Sequence, residues 1–134
     1  MKAAVRFLMI ASMLLLAAAA SARVPGSKVG VSFDRTLADF GNVHADADHV
    51  SVRYVMTNNG EGAVAILSAR ASCGCTEPSY PRKPVMPGDS AVINVTFNTV
   101  GQRGEVDKEV TLRLRNAAGK SEKVQLQLRG VVIP

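Results

Sequence analysis

The chain has 134 residues and a formal charge of +5; residues 1–22 read as an export leader, so the mature protein is expected to be a single domain of residues 23–134. Without the leader about 40% of the residues are apolar, an ordinary value for a soluble domain, and the charge falls to +3, too weak and too dispersed to indicate a nucleic-acid partner. A chain of this size builds one core and no multi-lobed cleft, which excludes a large metabolic enzyme.

The leader has a charged start (Lys2, Arg6), an apolar stretch from Phe7 to Ala20, and the small-residue triplet Ala20-Ser21-Ala22 ahead of Arg23, so cleavage is expected after Ala22. The apolar stretch of about 14 residues is shorter than the ~20 a spanning helix needs, so no transmembrane anchor is expected in the mature form. No cysteine near the cleavage point offers itself for lipid attachment. The expected destination is a bacterial periplasm, or secretion.

Beyond the leader, valine is abundant, aromatics are few (Phe33, Phe40, Tyr54, Tyr80, Phe97), and no segment repeats with the helical period. Short strands are expected near Val29–Phe33 and Asp39–Val43. The segment Val43-His44-Ala45-Asp46-Ala47-Asp48-His49 reads as a solvated connection, although its two histidines are metal-ligand types. Val50, Val52, Tyr54 and Met56 then alternate with Ser51, Arg53, Val55 and Thr57, which predicts a half-buried strand. Asn58-Asn59-Gly60-Glu61-Gly62 is a turn signal, and a strand is expected over Ala63–Ala71. After a proline-bearing loop (Pro78, Pro81, Pro84, Pro87), Ala91, Ile93, Val95 and Phe97 share one parity. So do Val106, Val110, Leu112 and Leu114, and, past a turn at Asn116–Gly119, Val124, Leu126, Leu128 and Val132. Arg113, Arg115, Lys123 and Arg129 fall on the opposite parity and read as a solvated face. About seven strands predict an all-β fold, an immunoglobulin-like two-sheet sandwich, with a closed barrel as the alternative. The final strand, Lys123 to Val132, has two readings, a sheet edge open to a partner's strand or a strand paired on both sides within its sheet.

Cys73 and Cys75 are the only cysteines, in Ser72-Cys73-Gly74-Cys75-Thr76. Gly74 is expected to bend the backbone so that both sulfurs face the same side. Three readings are open. The pair is an oxidised clasp or a pair of buried thiols that merely ends a strand; or it is a redox dithiol, whose one-residue spacing strains the bridge and eases reduction; or it is half of a copper or zinc site completed by His44, His49, Met56 or Met86. Nothing in the chain has the order or spacing of a catalytic triad, a paired-carboxylate site or a phosphate loop, so no catalytic residue is assigned.

Several segments together carry a resemblance: Asp39-Phe40-Gly41-Asn42-Val43, Thr57-Asn58-Asn59-Gly60, Ala71-Ser72-Cys73-Gly74-Cys75-Thr76, Pro87-Gly88-Asp89-Ser90, Val95-Thr96-Phe97-Asn98-Thr99 and Gly101-Gln102-Arg103-Gly104. In that order they resemble the bacterial domain-of-unknown-function family 1573, from about Phe33 to Val132. The resemblance implies an immunoglobulin-type sandwich of seven or eight strands, akin to the Hydin, abnormal-spindle and major-sperm-protein group, and implies no established activity. Many members have a lipid-anchoring signal, which this leader lacks.

Two functions are therefore expected to compete. One is an exported, non-catalytic binding or structural module that meets a protein partner through loops or the C-terminal edge strand. The other is a periplasmic redox or soft-metal protein that uses Cys73 and Cys75.

Overall fold

A computed structural model describes residues 22, 23 and 27–134. The charged start and apolar stretch of the leader lie outside the described residues. The expected cleavage bond, Ala22 to Arg23, coincides with the first short strand, β1 (Ala22–Arg23).

Eight further strands follow: β2 (Val31–Phe33), β3 (Leu37–His44), β4 (His49–Asn58), β5 (Val64–Ala71), β6 (Thr76–Ser79), β7 (Ser90–Asn98), β8 (Gly104–Asn116) and β9 (Ser121–Ile133). A single 3-10 turn, Ala45–Ala47, is the only helical element among the described residues. One sheet has the order β1-β2-β4-β7-β6 and the other β3-β9-β8-β5, so the architecture is the expected two-sheet sandwich. The alternation read from the sequence assigns the faces correctly. Val52, Tyr54 and Met56 of β4, Ala91, Ile93, Val95 and Phe97 of β7, Val110, Leu112 and Leu114 of β8 and Val124, Leu126 and Leu128 of β9 are all buried between the sheets. Tyr54 reaches across the core, where its hydroxyl donates to the Gln127 carbonyl of β9. Burial pushes this phenol from 10 up to about 12, against the opposing pull of the Arg35 charge and the Ala38 backbone.

Two expectations are corrected. The proline-bearing loop contains a strand, β6, paired antiparallel with β7 from Thr76 opposite Phe97 to Ser79 opposite Asn94. Proline hides such a strand from a propensity reading, yet Pro78 is tolerated because β6 is an outermost strand, where one side of the backbone needs no partner. The second correction concerns the C-terminal strand, which is not an edge. β9 lies between β8 and β3, and β3 runs parallel to it from Leu37 opposite Gln127 to His44 opposite Ile133. The chain leaves one sheet after β2 and joins the other as β3, closing a pairing across about ninety residues that no local pattern announces. Lys123 and Arg129 are polar because one face of the sheet is wet, and do not mark an edge. The edges are β3 and β5 in this sheet and β1 and β6 in the other.

Candidate functional site

The Ser72–Thr76 segment is the crossover from β5 in one sheet to β6 in the other. Both its ends are tied down. Ser72 donates its N–H to the Glu109 carbonyl (2.8 Å), and its hydroxyl accepts from the Glu109 N–H (3.1 Å). At the other end the Thr76 N–H bonds the Cys73 carbonyl (3.3 Å), the Asn98 N–H bonds the Cys75 carbonyl (2.8 Å), and Thr76 itself is buried. Between these anchors Cys73 and Cys75 form a disulfide, with Cα atoms 5.3 Å apart.

The two sulfurs have unequal surroundings. The Cys75 N–H donates to the Cys73 sulfur (3.1 Å), and the Thr76 hydroxyl lies 3.8 Å from the Cys73 sulfur and 3.7 Å from that of Cys75. Cys75 packs against the hydrophobic core, whereas Cys73 stands outside that cluster. Gly74 is exposed, and a Cβ added to it would meet nothing within 4 Å. The segment turns as expected, closed by the Thr76 N–H on the Cys73 carbonyl, but Gly74 is not among the glycines with positive φ, so neither conformation nor space demands glycine here.

An open recess of about 360 Å³ adjoins Cys75, lined also by Asp48, His49, Gly74, Glu77 and Asn98. His49 is there because it opens β4 opposite Asn98, the residue whose N–H bonds the Cys75 carbonyl. Asp48, with φ of 65°, ends the 3-10 turn, and its carbonyl accepts from the N–H of the buried Thr99 (2.9 Å). Of the side chains offered as soft-metal ligands, only His49 shares this recess. His44 is exposed at the end of β3, Met56 is fully buried in the core, and Met86 lies in the loop that meets the far end of β4. Among the described residues no group of three His, Cys, Asp or Glu side chains converges as a metal site would require.

One residue read only as part of a turn is a structural centre. Asn58 is fully buried, and its amide donates to the carbonyls of Gly62 (2.8 Å) and Val85 (2.9 Å) while its side-chain oxygen accepts from the Gly60 N–H (2.9 Å). It binds the β4–β5 turn to the loop before β7. A turn-forming asparagine and a buried network asparagine look alike in a single sequence, because what separates them is the distant carbonyl of Val85.

The model of the family described as "Protein of unknown function (DUF1573)" matches residues 31–132. The chain belongs to this family. The match spans β2 to β9 and includes the disulfide crossover of this DUF1573 domain. No curated protein matches the chain. Solved structures with a similar fold include the ASH/PapD-like domain 7 of human CEP192, at 14% identity over 81% of this chain and 91% of that one, with a TM-score of 0.63. The periplasmic chaperone SfaE is similar at 14% identity over 78% of this chain and 61% of the chaperone, TM-score 0.58. The Vibrio cholerae VesB protease is similar at 16% identity over 76% of this chain, TM-score 0.64, but this chain spans only 32% of the protease. At such identities the likeness shows the fold alone, a PapD-like, immunoglobulin-type sandwich.

Proposed function

We propose that this DUF1573 protein is an exported, non-catalytic binding module whose partner is another protein, engaged along the open edge of β5. The observation that carries this reading is the state of that edge. Val64 exchanges two backbone bonds with Val85, and beyond it, among the described residues, no strand pairs with the outer side of β5 from Ala65 to Ala71. At a bulge between Ile66 and Ser68 the Leu67 side chain is 52% exposed. The other edges are less suited to adding a strand: β6 has four residues and contains Pro78, β1 loses Ala22 on cleavage and leaves the three-residue β2, and β3, which like β5 has a register shift, carries there Gly41 with φ of +71°. Export rests on the leader, with cleavage after Ala22, and N-terminal sequencing of the purified protein should return Arg23. For the edge, a photo-crosslinking amino acid at position 67 should capture one partner in the producing cell, while the same group at the exposed Ser51 should not. Capture should persist in a Cys73→Ser/Cys75→Ser double variant; equal labelling from positions 51 and 67 would remove the edge reading.

A second reading is favoured by the crossover itself: an exchangeable thiol–disulfide couple at Cys73 and Cys75. It is supported by a bridge that closes a ring of three residues at the surface while the anchors on either side, Ser72 on β8 and Thr76 in the core, do not depend on it. Under this reading the double serine variant loses function.

A further inference from the structure

The inequality of the two sulfurs sets a direction for the chemistry. We infer that Cys73 is the thiol that exchanges with a partner and Cys75 the thiol that resolves, an assignment that rests on the thiol–disulfide reading above. Three observations carry it. Cys73 stands outside the core cluster, whereas Cys75, although it borders the open recess, packs on that core, so Cys75 is the sulfur held in place to resolve and Cys73 the one free of that packing. Cys73 faces two donors, the Cys75 N–H and the Thr76 hydroxyl, whereas Cys75 faces only the hydroxyl. Hydrogen bonds to a thiolate favour the ionised form, which is the nucleophile. Finally, Gly74 leaves the space over the bridge bare where any other residue would fit, so a partner's backbone can approach closely.

The exchange partner is a thiol, and the sequence of bonds is then defined. Its thiolate attacks the Cys73 sulfur, the Cys73–Cys75 bond breaks, and the electron pair leaves on the Cys75 sulfur, towards which the Thr76 hydroxyl turns. The product is a mixed disulfide between the partner and Cys73. A second partner thiolate attacks the partner sulfur of that bond, forming the partner's disulfide and releasing Cys73 as a thiolate held by the Cys75 N–H and the Thr76 hydroxyl. Two partner thiols lose two electrons and two protons, and the bridge gains them as two cysteine thiols. The reverse reaction, with Cys73 attacking a disulfide, uses the same groups.

The test uses the single variants Cys75→Ser and Cys73→Ser, which keep the backbone donor, with iodoacetamide and glutathione disulfide as probes. At pH 7, Cys73 in Cys75→Ser should alkylate roughly fivefold or more faster than Cys75 in Cys73→Ser, and its increase in rate with rising pH should set in at a lower pH. Adding Thr76→Val to Cys75→Ser should slow Cys73 and move its pH profile upward, and Thr76→Ser should restore both. The other titratable groups near the loop, Asp48, His49, Glu77 and Glu109, are unchanged throughout. Reduced wild-type protein given sub-stoichiometric iodoacetamide and then mapped by peptide mass should carry the label on Cys73, a measurement that needs no variant to fold. Equal labelling, preferential labelling of Cys75, or an unmoved profile in the Thr76→Val variant would overturn the assignment. The underlying thiol reading fails separately, if the native bridge does not equilibrate with glutathione at all.

Discussion

The ring of Phe40 occupies the position that a side chain on Gly130 would take: a Cβ built on Gly130 would collide with three carbons of that ring. Phe40 belongs to β3 and Gly130 to β9, the two strands paired in parallel, and Phe40 also stacks on Phe97 of the opposite sheet with ring centroids 5.8 Å apart. One missing methyl group on β9 thus lets an edge-strand aromatic enter the core beside the residue that pairs with Thr76.

Gly130→Ala should therefore destabilise the protein by about 1–3 kcal/mol through overpacking, since the backbone there needs no positive φ. Phe40→Leu makes room for the new methyl, so the double variant should lose less than the sum of the two single variants. Urea midpoints of the three proteins measure this; strict additivity would mean that the two residues do not meet.

Asn58→Ala leaves the carbonyls of Gly62 and Val85 and the N–H of Gly60 without the fully buried side chain that joins them. The expected loss is about 2–4 kcal/mol, read from thermal or urea unfolding. The neighbouring Asn59→Ala, at an exposed position, should cost clearly less even though it removes a bond to Ser32.

The neutral phenol of Tyr54 is favoured in the folded protein, because its ionisation is pushed from 10 up to about 12 by burial. A raised value of this kind contributes stability that is complete below pH 10 and is lost as the pH rises through 10 to 12, amounting to on the order of 2 kcal/mol. Unfolding free energies measured from pH 8 to 12 should fall across that interval. In Tyr54→Phe this part of the pH dependence should vanish, with a smaller constant loss of about 1–2 kcal/mol for the bond to the Gln127 carbonyl.

Reduction of the Cys73–Cys75 bridge should leave the sandwich folded. A ring of sequence separation two removes little chain entropy from the unfolded state, well under the ~3 kcal/mol expected of a 15-residue loop. The far-UV spectrum and the cooperativity of unfolding should survive treatment with a dithiol reductant, with only a small shift in midpoint. Unfolding on reduction would make the bridge structural.

What the sequence determined by itself is which face of β4, β7, β8 and β9 is dry, while the count of about seven strands missed β1 and β6. Period-two alternation is written residue by residue, and a residue such as Leu112, fully buried, or its exposed neighbour Arg113 needs no distant information to be assigned. The disulfide motif was legible as a motif too, because only two cysteines exist and they lie two positions apart. Tertiary structure alone decided which strands are edges, which of the candidate ligands reach Cys75, and which sulfur packs on the core. The parallel pairing of β3 with β9 buries the strand that ends the chain and transfers the open edge to β5. The register of β4 on β7 brings His49 to the cysteine loop while Met56, seven residues on, is committed to the core. Those outcomes depend on contacts between segments far apart in the chain, and a local pattern of apolar and polar residues specifies which side of a strand is dry without specifying which strand lies beside it.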